Sequence, residues 1–311
     1  MCGINGYYNR NRKTISKPIL KKMNDKMIYR GPDDEGYYIN KNFGMCMRRL
    51  SIIDIEGGKQ PISNDKKNIF VVLNGEIYNF IELRTKLQNK GYTFSTLSDT
   101  EVIIHLYEEY GIEAVNHLNG MFAFALWDNS NHILWIARDR MGIKPLVYYF
   151  DKQIMIFSST LTSIKSHPYL NNELDRDSIL SYLALSYVPA PKTIWKNIKK
   201  LRPGHSILLR DNKILINRYW KIRPKIVNDW DETYLIDNIE EKFKNSVKIR
   251  SRSDVAVGTF LSGGLDSSAV TAYFSKISNK PVHTFSMDFE GKQVKEREFA
   301  KLIADKYENI F

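Results

Sequence analysis

Between residues 121 and 158 the chain carries four short apolar runs, Met121–Trp127, Ile133–Arg138, Leu146–Phe150 and Gln153–Ser158, with polar turns at Asp128–Asn131 and Asp151–Lys152. These read as consecutive strands. A chain with so many short strands buries them sheet against sheet, with helices packed outside. Upstream, Asn68–Leu73 is a further apolar run closed by Asn74-Gly75, a buried strand meeting a turn. Two helices follow. Phe80–Lys90 carries Phe80, Ile81, Leu83 and Leu87 at helical spacing. The second is announced by the capping-box pattern Ser98-Asp99-Thr100-Glu101, with Val102, Ile103, Leu106, Tyr107 and Tyr110 on one face behind it.

The texture changes after Asp175. A helix at Arg176–Ser186 leads into Val188-Pro189-Ala190-Pro191, which its prolines keep extended. Then come helix Trp230–Arg250, strand Val255–Leu261, a glycine-rich turn, helix Ser267–Ser278, strand Val282–Met287 and helix Glu296–Tyr307. This βαβα order is the start of a parallel, helix-covered sheet. A length of 311 residues suits two domains. The boundary is expected between Asp211 and Asp229, giving domains 1–210 and 211–311.

Composition excludes several classes. With 43% hydrophobic and 26% charged residues, the chain is neither disordered nor fibrous. Its longest apolar run is too short to span a bilayer, and no signal-peptide core follows the first residues. Cys2 and Cys46 are too few for a disulfide scaffold, so a reducing, cytoplasmic setting is expected. The six histidines show no metal-ligand spacing. The net charge of +11 comes from scattered lysines, with no basic helix or cluster of stacking aromatics. Neither nucleic acid nor membrane is expected as a partner, and the sequence leaves a homodimer open.

Two motifs carry chemistry. Ser262-Gly-Gly-Leu-Asp-Ser-Ser268 lies between a buried strand and a helix. Glycines let the backbone approach a ligand, and the helix N-terminus offers N–H groups to phosphate. The Gly-Lys-Ser/Thr ending of a γ-phosphate-transferring P-loop is missing. Gly263-Gly264 alone reads as a turn before an N-cap. The whole heptad resembles the pyrophosphate-binding loop of ATP pyrophosphatases, with Asp266 the carboxylate to meet magnesium on the pyrophosphate.

The second motif is Met1-Cys2-Gly3-Ile4. Once Met1 is removed, Cys2 supplies a thiol and an α-amine of pKa about 7.7–8.0, a nucleophile and a base in one residue. Behind it follow Arg30-Gly31-Pro32-Asp33, Arg48-Arg49-Leu50-Ser51-Ile52-Ile53-Asp54, Asn74-Gly75-Glu76-Ile77-Tyr78-Asn79 and Ser98-Asp99-Thr100-Glu101. In this order they resemble the N-terminal-nucleophile glutaminase domain of class II amidotransferases. Gly120–Trp127, Ala137–Leu146, Val188–Pro191, Leu201-Arg-Pro-Gly204 and Ser262–Ser268 narrow the resemblance to the glutamine-dependent asparagine synthetase family, over essentially the whole chain. The implied architecture is α+β: an αββα glutaminase domain, then the start of an α/β parallel-sheet ATP pyrophosphatase domain.

Carried over residue by residue, the resemblance makes Cys2 the nucleophile and gives the oxyanion hole to Asn74 and the Gly75 N–H. Arg49 holds the glutamine α-carboxylate, Ile52 and Ile53 line the same wall, and Glu76 and Asp99 face the α-amino end. Leu261, Ser262, Gly263, Gly264, Asp266, Ser267, Ser268 and Met287 form the ATP set, with Mg2+ at Asp266. The implied substrates are glutamine, aspartate and ATP. Taken singly, Asn74-Gly75 reads as a hairpin turn, Asp99 as a helix N-terminal charge and Arg49 as a surface ion pair.

Three positions depart from the family pattern: Tyr29 and Met47 stand where histidine is usual, and Thr160 replaces a glutamate. They put ammonia transfer in question more than glutamine cleavage. Cys46 has no counterpart and reads as a buried structural thiol. The family's second half continues beyond the position matching Phe311, so the expectation is a fragment or truncated reading frame that hydrolyses glutamine but lacks the aspartate pocket. Competing readings are an amidotransferase with another carboxylate acceptor, and a non-catalytic remnant.

Overall fold

The computed structural model describes residues 2–171, 173–224, 231–287 and 296–311. The chain divides into two compact units, Met1–Arg223 and Pro224–Phe311.

The first unit contains β1 (Gly3–Asn9), α1 (Lys17–Asp25), β2 (Asp34–Asn40), β3 (Phe43–Arg49), β4 (Ile62–Ser63), β5 (Ile69–Ile77), α2 (Phe80–Gln88) and α3 (Glu101–Tyr110). It continues with β6 (Gly120–Asp128), β7 (Ile133–Arg138), β8 (Val147–Phe150), β9 (Ile154–Ser158), α4 (Leu161–Lys165), α5 (Arg176–Leu185), β10 (Lys199–Lys200), β11 (His205–Arg210) and β12 (Lys213–Arg218). The strands form two six-stranded sheets, in the orders β10-β8-β9-β1-β3-β2 and β12-β11-β7-β6-β5-β4.

The apolar runs are continuous because both faces of the second sheet are covered. Along β6, Phe122, Phe124 and Leu126 face a core shared with α2 and α3, while Ala123, Ala125 and Trp127 face the first sheet. β7 alternates likewise, Ile133, Trp135 and Ala137 outward, Leu134 and Ile136 inward. Between the sheets Phe43 stacks on Trp127 with ring centroids 4.4 Å apart. A third cluster joins Leu20 and Met23 of α1 and Ile164 of α4 to Tyr7, Cys46 and Ile156 of the first sheet. The layers are therefore αββα. The Cys46 thiol is buried here and donates to Asn5 Oδ1 at 3.0 Å.

Three local expectations are corrected. Asn74-Gly75 does not end its strand: β5 runs on to Ile77, with Asn74 opposite Ala123 and Gly75 opposite Phe122. A Cβ at Gly75 would lie 2.0 Å from the Met121 carbonyl oxygen, and its φ is +151°. The glycine permits close strand approach rather than a turn. The reciprocal capping box does not form. Ser98 Oγ accepts from Thr100 N at 3.2 Å, while the Glu101 carboxylate reaches back to Ser95 N and Thr96 N, both at 2.8 Å. Finally, β12 pairs with β11 from Lys213 to Arg218, across a turn at Asp211-Asn212 with positive φ at both residues. A cut after residue 210 would separate the two strands of this hairpin; the first compact unit extends to Arg223, within the Asp211–Asp229 interval expected for the boundary.

The second unit contains α6 (Glu232–Arg250), β13 (Gly258–Phe260), α7 (Leu265–Ile277), β14 (His283–Phe285) and α8 (Glu296–Lys306). The start expected for α6 at Trp230 lies outside the described residues. β13 and β14 pair in parallel and are three residues each, shorter than the runs that announced them. The core is small: Leu261, Ala300 and Ala304, with Ile303 against them.

Candidate active site

A cavity of about 270 Å³ in the first unit is lined by Cys2, Arg49, Ile52, Ile53, Gly75, Glu76 and Asp99, together with Leu50, Gln60, Ser98, Thr100, Met121, Ile143 and Lys144. Six of the sequence blocks quoted above, those around Cys2, Arg49, Gly75, Asp99, Met121 and Lys144, thus meet at one place. The Arg30–Asp33 block lies outside the lining but packs against Arg48, since a Cβ at Gly31 would lie 2.4 Å from the Arg48 carbonyl carbon. Beside it Ser51 N donates to Asp33 Oδ2 at 2.9 Å.

Cys2 immediately precedes β1. Its Sγ lies 3.4 Å from Leu50 N, which donates to it, and its carbonyl accepts from Arg30 Nε at 2.9 Å. Burial raises the thiol pKa above its ordinary value, against the Leu50 backbone contact, which lowers it. Burial thus favours the neutral thiol, which calls for a base to take its proton.

The open edge of β5 is the informative feature. Its odd-numbered N–H groups point away from β6. Leu73 N donates to Gln60 Oε1 at 2.7 Å and Ile77 N to Asp99 Oδ2 at 2.8 Å. Gly75, between them, lines the cavity, and among the described residues its N–H has no protein acceptor. Asn74 faces the other way, toward the first sheet. It is fully buried, does not line the cavity, and its Nδ2 lies 3.3 Å from Ser159 Oγ.

The charged groups are held apart. Arg49 is buried and donates to the carbonyls of Ile53 (3.0 Å), Asp54 (2.7 Å) and Ile55 (3.0 Å). It is no surface ion pair. Its Nε and one Nη1 hydrogen donate to no protein acceptor among the described residues. Burial pushes the Asp99 carboxyl up to about 6, against the Ile77 N–H, with neighbouring Glu76 adding to the rise. Burial also raises Glu76, while Lys144 opposes it.

Of the departing positions, Tyr29 is exposed and Met47 sits in the core between the sheets. Thr160 caps α4, its side chain accepting from Ser163 N at 3.2 Å.

In the second unit, Leu261, Ser262 and Met287 line a separate cavity of about 620 Å³. Gly263, Gly264, Asp266, Ser267 and Ser268 lie on the adjoining loop and the first turn of α7, outside that lining. The loop is tied by Ser262 Oγ to Ser267 Oγ at 3.0 Å and by Ser267 Oγ to the Gly264 carbonyl at 3.1 Å. Gly263 has φ +81°, and a Cβ there would meet the Glu296 carbonyl at 2.6 Å, so packing against α8 requires it. At Gly264 the nearest atom to a Cβ is Ser262 Oγ, 3.4 Å away, which leaves that side open. The first intrahelical bond of α7 runs from Ser268 N to the Gly264 carbonyl, so the N–H groups of Leu265, Asp266 and Ser267 precede it. Among the described residues no group of three His, Cys, Asp or Glu side chains is placed to hold a metal. None of the described helices is long and apolar enough to cross a membrane.

Residues 1–220 match the glutamine amidotransferase domain family. The chain belongs to that family. Residues 238–309 match the asparagine synthase family, within the second unit. The chain is 39% identical over 305 residues to glutamine-hydrolyzing asparagine synthetase 1 of Bacillus subtilis (strain 168), covering 97% of this chain and 48% of that protein. It is 38% identical over 329 residues to a putative glutamine-hydrolyzing asparagine synthetase 2 of Methanocaldococcus jannaschii, covering 98% of this chain and 63% of that protein. The chain spans about half the length of the curated relatives it matches. Among solved structures, the glutamine phosphoribosylpyrophosphate amidotransferase of B. subtilis superposes with a TM-score of 0.54 at 16% identity, covering 70% of this chain and 49% of that one. This is a likeness of fold alone.

Several amidotransferase cavity residues were not singled out in the sequence. Ile143 and Lys144 sat inside the quoted Ala137–Leu146 block. The signal that could have found them is Asp139, whose buried carboxylate accepts from the backbone N–H groups of Phe122, Met141, Ile143 and Lys144. Arg138 closes the same loop through the carbonyls of Lys144 and Gly142, each at 2.7 Å. Gln60 belongs to no motif and is found only from its bonds to Leu73 N and Thr100 Oγ1.

Proposed function

We propose that the first unit, residues 1–223, hydrolyses glutamine to glutamate and ammonia, and that the complete protein spends the ammonia as a glutamine-hydrolysing asparagine synthetase. The observation that carries this is the Gly75 N–H, without an acceptor among the described residues, in the cavity that also holds the Cys2 thiol, Arg49 and Asp99.

With Met1 removed, the Cys2 α-amine takes the Sγ proton and the thiolate attacks the side-chain amide carbon of glutamine. The oxyanion is met by the Gly75 N–H, and the family resemblance gives the second donor to the Asn74 carboxamide, which is fully buried and outside the cavity lining before substrate binds. Collapse breaks the C–N bond, and the α-ammonium returns its proton to the departing ammonia. Water then cleaves the γ-glutamyl thioester and regenerates the thiol. The free donors of Arg49 hold the substrate α-carboxylate, Asp99 and Glu76 face its ammonium, and Ile52 and Ile53 wall the aliphatic stem. Two fixed charges of opposite sign match a zwitterion.

In the second unit the Ser262–Ser268 loop receives the ATP phosphates, with Leu261 and Met287 in the adjoining cavity. Asp266 would offer a carboxylate to magnesium, which commonly binds one or two protein carboxylates plus phosphate oxygens. In the complete protein the aspartate β-carboxylate displaces pyrophosphate from ATP, and ammonia then displaces AMP to give asparagine. A cytoplasmic homodimer is the assembly carried into the test, read by light scattering.

A polypeptide of these 311 residues, given glutamine, aspartate, ATP and magnesium, should release glutamate and ammonia without pyrophosphate or asparagine. A protein of the relatives' length should make asparagine. Cys2→Ala should abolish glutamine hydrolysis with an unchanged melting temperature; ammonia at a rate comparable to the parent would remove Cys2 as the nucleophile.

A further inference from the structure

Ser159 lies just past the end of β9, with 2% of its surface exposed. Its backbone N donates to the Ile4 carbonyl at 2.8 Å, and its Oγ accepts from Ile4 N at 3.0 Å. Ile4 is two residues from Cys2, so this hydroxyl clamps the strand that presents the nucleophile. The same Oγ is 3.3 Å from the carboxamide of Asn74, reaching across from β5 in the other sheet.

The polar bookkeeping at this junction is incomplete with Asn74 Nδ2 turned to the serine. Asn74 Oδ1 is then buried without a partner. The Ser159 O–H also donates to no acceptor among the described residues, because its oxygen receives two N–H groups and gives none. Two faults at one contact have one remedy. Exchanging the amide's O and N, which leaves the atom positions unchanged, lets Ser159 O–H donate to Asn74 Oδ1 while its oxygen still accepts from Ile4 N. Each buried group then has a partner except Nδ2, which takes the place Oδ1 had and faces away from the serine with two hydrogens to give.

We propose that Ser159 is the positioning residue of the oxyanion hole: its hydroxyl, anchored by Ile4 N–H, fixes the Asn74 carboxamide with oxygen toward Ser159 and the NH₂ group turned toward the developing oxyanion. This rests on the glutaminase reading above. A rotatable amide would present oxygen to the oxyanion part of the time, and oxygen repels what nitrogen stabilises. The hydroxyl biases that choice, because with oxygen toward Ser159 its proton is given to the amide, whereas the other orientation leaves both the Ser159 proton and Asn74 Oδ1 without a partner among the described residues. Asn74 is thus preorganised before substrate arrives.

The test is a double-mutant cycle on the 311-residue chain. Ser159→Ala should lower kcat for glutamine by about 10- to 100-fold, part of the ~10²–10³-fold expected on deleting the donor itself. KM should stay within about twofold, since the oxyanion forms only after binding. Alkylation of Cys2 by iodoacetamide, a displacement at an sp³ carbon that forms no oxyanion, should keep its rate within about twofold. In an Asn74→Ala background the serine substitution should cost nothing further. Ser159→Thr, which keeps the hydroxyl, should recover most of the lost kcat. Parallel losses in kcat and alkylation would show that Ser159 only holds Cys2 in place, and would overturn the proposal. Multiplying losses in the Asn74→Ala background would overturn it too. If Asn74→Ala alone leaves kcat unchanged, the oxyanion assignment itself falls. That result is distinct from a failure of Ser159.

Discussion

The two units solve the same problem, holding polar groups for a ligand, on very different foundations. The first sets its cavity on two sheets with three apolar clusters around and between them. Gly75, Asn74 and Asp99 hang from strands or strand contacts that cannot move without disturbing that packing. The second sets its loop beside a core of Leu261, Ala300 and Ala304, and none of the side chains of α6 is buried. Phe260, Leu265 and Met287 around the loop are mostly exposed. Preorganisation follows burial, so the first-unit cavity is held by its packing while the Ser262–Ser268 loop lacks comparable support.

The largest expected contrast is in stability. Phe157→Ala, at a fully buried position between the sheets, should cost about 3–5 kcal/mol in denaturant unfolding. Ile239→Ala, on an exposed stretch of α6, should change stability by less than about 0.5 kcal/mol. Equal costs would mean that the second unit is as firmly packed as the first.

Next comes the chemistry. Asn74→Ala should lower kcat by about 10²–10³-fold with little change in KM. Asp99→Asn should do the reverse, raising KM for glutamine about 10- to 100-fold, the worth of a hydrogen bond to a charged group. Interchanged signatures in steady-state kinetics would undo this division of roles. The Asp99 carboxyl, raised to about 6, is ionised above that pH and neutral below it. An ammonium needs the ionised form. The KM of the parent should therefore rise as pH falls through about 6, and Asp99→Asn should flatten that profile. The smallest effect is expected at Asp266→Asn, which should leave glutamine hydrolysis within about twofold, because every residue of the proposed glutamine site lies in the first unit. A large fall would show that the units are coupled.

How much of this was legible in the sequence depended on the physical range of each signal. Strands β6 and β7 were plain because burial on both faces writes an unbroken apolar run. The placement of β5 was half right: Asn74-Gly75 carries the commonest hairpin-turn chemistry, and only the nearness of Met121 on another strand shows why a glycine is needed there. Likewise Ser98–Glu101 has capping-box spacing, but Glu101 finds Ser95 and Thr96 instead. Cys2, Arg49, Gly75, Glu76 and Asp99 do meet in one cavity, and their order along the chain announced it. Gln60, Lys144 and Ser159 were not singled out because their partners, Leu73, Glu76 and Ile4 with Asn74, are distant in sequence and follow no period.

The closeness of Gly75 to Met121 also limits how such a site can be altered. Any side chain at 75 collides with backbone, and backbone in a central strand has nowhere to retreat. An engineer seeking a different amide substrate, or a lineage drifting toward one, is shut out of that position. The adjustable surface is the wall made by Ile52 and Ile53, which line the cavity without being buried. Selectivity can therefore be retuned there while position 75 stays a glycine.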